Sequence, residues 1–152
     1  MKSKNIVVII TGALIVFVIA MSLLSSGNNG GKDEETNGDS KIEDIVFEDG
    51  KVNIYFFKGD GCPHCEEEIE FLESIEEEYG EYFNLYSFEV WYNKDNAELM
   101  KKLAEKMEIK ITGVPLTIIG EKHFSGFSNT MEEDFKKAIM EQSQNTFDVY
   151  KE

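Results

Sequence analysis

Cys62 and Cys65 are the only cysteines in this 152-residue chain, and only Pro63 and His64 separate them. Thiols at that spacing can pass electrons through a disulfide, supply two ligands to a zinc ion, or lock a local loop. A structural lock stabilises by closing a long stretch of chain, and a two-residue gap closes almost nothing. A closed zinc site needs four ligands, and the chain offers only His64 and His123 besides the cysteines; His64 is constrained between the two thiols from turning toward the same ion. Covalent haem attachment requires a histidine directly after the second cysteine, where Glu66 stands.

Disulfide exchange needs a thiolate, and a free cysteine with a pKa near 8.5 is mostly protonated at neutral pH. Three features favour the thiolate of Cys62: the unpaired N–H groups of a helix start, a protonated His64, and the S–H of Cys65 one turn further in. Glu66, Glu67 and Glu68 oppose it, as exposed and therefore screened charges. On this reading Cys62 is the attacking thiol and Cys65 the resolving one, with Pro63 and His64 shaping the pair.

The elements around the motif are readable from periodicity. VNIYFF (52–57) is β-branched and aromatic throughout, as in a strand buried on both faces. From Pro63 to Tyr79, Cys65, Ile69, Leu72, Ile75 and Tyr79 form one helical stripe with glutamates opposite. Proline suits the first helical position, where its missing N–H is no loss. FNLYSFEVW (83–91) predicts a second strand. Asp95 with Glu98 predicts a capped helix carrying Met100, Leu103, Ala104 and Met107. LTII (116–119) and KHFSGF (122–127) predict a hairpin, and Thr130 with Glu133 a last helix with Met131, Phe135, Ala138, Ile139 and Met140 on its apolar face. The order is β-α-β-α-β-β-α: an α/β domain with a central mixed sheet flanked by helices. IEDIVF (42–47) and the tail QNTFDVYKE have no decisive period.

Composition sets the setting. Thirty acids against 15 lysines and no arginine leave a formal charge of −15, which repels nucleic acid. Residues 6–24 are nineteen consecutive uncharged positions, roughly 28 Å as a helix, enough to cross a bilayer. The expected organisation is a basic cytoplasmic segment 1–5, a single-pass transmembrane signal-anchor 6–24, a flexible linker 25–41, the domain 42–143 and a C-terminal tail 144–152. Lys2 and Lys4 place the domain outside the cytoplasm. The alternative is a signal cleaved after Ala20-Met21-Ser22, which secretes the domain.

A strand, then C-P-H-C at a helix start, then ITGVPLTIIG (111–120), resembles the thioredoxin-like superfamily, and DsbA-type thiol oxidases in particular. The resemblance spans roughly Val52 to Gln142. It implies a thioredoxin-like fold, a cis Pro115 facing the cysteines, and Val114 offering backbone groups to an extended substrate. It also implies a buried acid six positions before the first cysteine, where this chain has Phe56, and an aromatic residue just before it, where Gly61 stands. The gap from Cys62 to Pro115 is too short for the large helical insertion of DsbA, so the expected domain is compact.

Together these readings point to a membrane-anchored, extracytoplasmic thiol–disulfide oxidoreductase that oxidises cysteine pairs in exported proteins. No diffusible cofactor is required, because the electrons pass through Cys62 and Cys65; a membrane redox partner would renew the disulfide. Two alternatives stand beside it: a reductase fed by a membrane electron carrier, and a non-catalytic thioredoxin-like binding or metal-carrier module.

Overall fold

A computed structural model describes residues 39–152. The expected basic segment, the membrane segment 6–24 and the linker up to residue 38 lie outside the described residues. Among the described residues, no helix is long and apolar enough to cross a membrane.

The order is β1 (Val52–Lys58), α1 (Pro63–Ser74), α2 (Glu76–Tyr79), β2 (Phe83–Glu89), α3 (Lys94–Lys106), β3 (Leu116–Ile119), β4 (Lys122–Ser125) and α4 (Glu132–Gln142), with short 3-10 turns at Ile42–Asp44 and Asn129–Met131. The four strands make one mixed sheet in the order β2-β1-β3-β4. β1 runs parallel to β2 and antiparallel to β3, and β3 is antiparallel to β4. This is the mixed α/β arrangement that the sequence predicts.

β1 is central and buried from Val52 to Phe57, which is why its sequence lacks alternation. Its side chains nevertheless serve two cores. Val52 and Ile54 pack with Phe71, Leu72 and Ile75 of α1 and with Phe135, Ala138 and Ile139 of α4. Tyr55 and Phe57 pack on the other face with Leu99, Leu103 and Ala104 of α3. Helices therefore cover both faces of the sheet. Phe135 sits at the centre of an aromatic group, stacked on Phe124 and edge-on to Phe71 and Phe127, an arrangement that adds to simple burial.

Several boundaries differ from expectation. The helix expected over 63–79 breaks at Ile75, whose backbone (φ −94°, ψ −2°) caps α1 and opens α2. The cap of α3 is Asn93, which accepts from the N–H groups of Asp95 and Asn96, rather than Asp95 with Glu98. No side chain caps α4; the Asn129–Met131 turn leads into it, and the Thr130 hydroxyl pairs with Ser128. The last residues expected in the flexible linker are held in place. Ser40 N–H donates to the Ser87 carbonyl at 2.7 Å, Ser40 Oγ accepts from Ser87 N–H at 3.0 Å, and Asp39 accepts from Glu89 N–H at 3.0 Å. β2 is an edge strand, and these contacts satisfy groups it would otherwise leave open.

The tail also has a definite place. Phe147, Val149 and Tyr150 join the α3-side core, and the buried Asp148 accepts from Asn53 Nδ2 at 2.9 Å and Tyr55 Oη at 2.8 Å. Burial, and then the neighbouring Asp148, push the Tyr55 hydroxyl pKa up. The hydroxyl is thus a permanent donor to that carboxyl.

Candidate functional site: the Cys62–Cys65 pair

β1 ends at Lys58 and the chain turns through Gly59, Asp60 and Gly61 before α1 begins. Gly61 has φ +71°, a left-handed conformation that glycine adopts without a side-chain penalty. Cys62 is the N-cap of α1 and Pro63 its first helical residue. The Cys62 carbonyl accepts from the N–H groups of Cys65 and Glu66 at 3.0 and 3.1 Å. Cys62 therefore stands at the helix start, whose first N–H groups lack backbone partners; in the disulfide its side chain makes no capping hydrogen bond. Cys62 and Cys65 form a disulfide with Cα atoms 5.2 Å apart, inside the normal range.

The pair is nearly closed to solvent. Cys62 is 6% exposed and Cys65 2%, so both pack into the protein, with Cys62 slightly more accessible. They share a small apolar group with Phe56, Ile69, Leu85 and Val114. The Val114–Pro115 bond is cis, Pro115 is buried and Val114 half-buried against the cysteines. All six residues expected at the site, Cys62, Pro63, His64, Cys65, Val114 and Pro115, therefore lie on the α1 start and on the segment leading into β3. Among the described residues, no backbone–backbone hydrogen bond uses Val114 N–H or its carbonyl.

His64 points outward, and its Nδ1 lies 3.1 Å from Glu67 Oε2. The Glu67 carboxylate offsets the charge of a protonated ring, so the influence of His64 on Cys62 is smaller than the sequence alone implies. Glu66 and Glu67 are exposed, as expected.

Glu68 is not. Its side chain is fully buried, with Thr117 Oγ1 of β3 donating to Oε1 and with Oε2 unpartnered. Burial pushes its pKa from 4.5 up to about 8, with the Thr117 hydrogen bond pulling modestly the other way. The expectation of three solvated glutamates is corrected here. Glu68 lies three residues after the buried Cys65, on the same helix face, and β3 covers that face. The domain therefore contains a buried acid near the cysteines although Phe56 occupies the position where the resemblance would put one. The raised pKa has a definite sign for stability. Between pH 4.5 and about 8 the folded protein holds a proton that the unfolded chain has released, so this group's contribution falls as pH rises through that window.

Two aromatic residues follow β2, Trp91 against the turn that precedes Cys62 and Tyr92 at a cleft that Cys65 also borders. A Cβ at Gly59 would collide with the Trp91 indole, so the ring lies against the backbone three residues before Cys62. Trp91 and Tyr92 are 54% and 79% exposed. Glu89 holds their loop, accepting from the N–H groups of Trp91, Tyr92 and Asn93 at 2.6, 3.0 and 3.1 Å. Desolvation works against the Glu89 charge, but these backbone donors outweigh it and keep its carboxyl below the usual range. Tyr92, Gly61, Cys65, Glu66 and Ile69 border an open cleft of about 470 Å³. Sequence reading placed Trp91 at the end of a strand; β2 instead stops at Glu89, whose own side chain ties down the following turn.

No family model and no curated protein matches the chain. Several solved structures are similar to it. A glutaredoxin from Archaeoglobus fulgidus is 21% identical over 58% of this chain and 86% of its own, with a TM-score of 0.42. A thioredoxin-like protein from Clostridium perfringens is 24% identical over 64% and 79%, with a TM-score of 0.44. A periplasmic thioredoxin-like protein from Salmonella enterica serovar Typhimurium is 14% identical over 66% and 89%, with a TM-score of 0.45.

Proposed function

We propose that this protein is a thiol–disulfide oxidoreductase that oxidises cysteine pairs in exported proteins. The observation that carries the reading is the Cys62–Cys65 disulfide at the start of α1, with Val114 packed against it. A substrate thiolate attacks Cys62 Sγ, forming a mixed disulfide and expelling Cys65 as the leaving sulfur. A second substrate thiolate then attacks the substrate sulfur of that mixed disulfide and expels Cys62. The substrate gains a disulfide and the protein keeps two electrons as a dithiol. The helix start favours this direction, because it stabilises the Cys62 thiolate and so the reduced form. Val114, with its backbone groups outside the fold's own pairing, is the residue we assign to holding an extended substrate, with Pro115 fixing its placement.

The reduction potential tests the direction. Equilibration of the protein with glutathione buffers is expected to give a couple between about −180 and −120 mV, the range of oxidising family members. A value near the thioredoxin figure of about −270 mV would replace the oxidase by the reductase reading. His64→Ala is expected to make the couple more reducing by no more than about 30 mV, equivalent to 1.4 kcal/mol, because Glu67 already shares the histidine's charge.

We further assign the protein to the cell membrane, anchored once through residues 6–24 with the domain outside and facing a membrane redox partner. The nineteen uncharged positions flanked by Lys2 and Lys4 support this. Protease added to intact cells is expected to release a fragment of the domain cut within the linker. Soluble protein with a mature N-terminus near Leu23 would show a cleaved signal and a secreted domain instead.

A further inference from the structure

We propose that Glu68 is the proton-exchanging group of Cys65, giving up a proton as that sulfur leaves the disulfide and taking it back as the thiol attacks. The inference rests on the thiol–disulfide reading above and adds a residue that the sequence pattern had assigned to solvent. Cys65 and Glu68 are one turn apart on the buried face of α1, a spacing that puts Cβ atoms about 5–6 Å apart. Both are closed off from water, at 2% and 0% exposure.

The surroundings engage only one oxygen of the carboxyl. Thr117 sits directly opposite Phe56 in the β1–β3 ladder, and Phe56 packs against both cysteines. The Thr117 hydroxyl occupies one carboxyl oxygen and leaves the other, Oε2, buried with no hydrogen-bond partner. A buried polar atom without a partner is costly in a site that serves only structure. An open oxygen one turn from a sulfur that must alternate between thiol and disulfide has a use.

Among the described residues packed around Glu68, no other charge competes. On α1 the neighbouring His64, Glu66, Glu67 and Glu70 are exposed. Facing β1 contributes Phe56, β3 contributes Thr117, and the residue opposite Thr117 on β4 is Phe124, none of them charged. Burial, with only the Thr117 bond opposing it, holds Glu68 protonated to about pH 8. With the disulfide closed at neutral pH, the carboxyl is therefore neutral and ready to donate.

The step balances. The substrate thiolate bonds to Cys62 Sγ, the Cys62–Cys65 bond breaks, and Cys65 leaves with the electron pair. The Glu68 carboxyl protonates that sulfur and becomes a carboxylate. In the reverse direction the carboxylate takes the proton from Cys65, whose thiolate attacks Cys62 and expels the substrate sulfur. The two-electron change lies wholly between the protein disulfide and the substrate dithiol.

The test is stopped-flow reduction of the oxidised full-length protein by dithiothreitol, followed through the fluorescence of Trp91, the single tryptophan. Rates are expressed per dithiothreitol thiolate from pH 5 to 10, with thermal melting measured alongside. The wild-type rate is expected to be level at low pH and to decline with a midpoint near 8, as Glu68 loses its proton. Glu68→Gln, which preserves shape and can still accept from Thr117, is expected to be slower by about 10²-fold at pH 6–7, without that decline. Its melting temperature should exceed wild type at pH 7.5 and approach it near pH 4.5. Thr117→Val is expected to move the midpoint to higher pH, since the lost bond is the influence that lowers it. A Glu68→Gln protein with the wild-type rate and profile overturns the inference and leaves the oxidoreductase reading standing. If Glu68→Gln does not fold, an unmoved midpoint in Thr117→Val overturns it equally. A wild-type disulfide that dithiothreitol reduces no faster than a simple peptide disulfide overturns both.

Discussion

Cys62→Ser is expected to abolish disulfide exchange, lowering turnover on the order of 10³-fold or more, while Cys65→Ser traps the protein as a mixed disulfide with its substrates. The asymmetry follows from position. Cys62 is the N-cap of α1, and a thiolate formed at a helix start is favoured by the unpaired N–H groups there. Cys65 lies within the first turn, its N–H bonded to the Cys62 carbonyl and its side chain nearly closed off. Without Cys62 there is no attacking sulfur, and without Cys65 no internal thiol can release a bound substrate. The measurement is alkylation of the reduced protein together with non-reducing electrophoresis of each variant. Faster alkylation at Cys65 than at Cys62, or mixed disulfides accumulating in Cys62→Ser instead, would exchange the two roles. The exposures of 6% and 2% are close enough that access alone does not decide the matter. The helix start does.

Asp148→Ala is expected to destabilise the domain by about 3–5 kcal/mol, although it lies in the apparently featureless tail. Asp148 is 7% exposed and receives hydrogen bonds from Asn53 and Tyr55, both buried on β1. Removing it leaves those donors short of partners in the interior, at about 1–3 kcal/mol for each unsatisfied group. It also loosens the turn that seats Val149 against Phe57 and Leu103, since Tyr150 N–H donates to the same carboxyl at 2.9 Å. Asp148→Asn keeps acceptor capacity and is expected to lose roughly half as much. Chemical denaturation of the three proteins checks this at constant slope. A change below about 0.5 kcal/mol, the usual range for an exposed position, would show that the tail does not stabilise the core.

The elements that carry the candidate site are legible in the sequence. The strand over Val52–Phe57, the helix beginning at Pro63 and the β3–β4 hairpin follow from local pattern, because each states its period or its turn within a few residues. The C-P-H-C spacing points by itself to chemistry at the cysteines, since a two-residue gap offers so little stability. The expected cis bond at Pro115 came from the resemblance, not from periodicity, and the backbone has that geometry.

What stayed hidden depends on partners distant in sequence. Periodicity identifies the buried face of α1 by its apolar residues, so a glutamate beside that stripe reads as solvated. Glu68 is buried because β3, about fifty residues later, lays Thr117 over it. Asp148 reads as one more acid among thirty, and only its 95-residue reach to Asn53 makes it part of the core. Trp91 gains its place on the turn before Cys62 because Gly59 has no side chain to keep the indole away. The sequence by itself determined the cysteine pair, the strand and helix that present it, and the acidic composition, all written in neighbouring residues. The tertiary structure decided which of the many carboxyls leave water, because burial depends on what packs over a side chain, and only the folded chain brings those groups together.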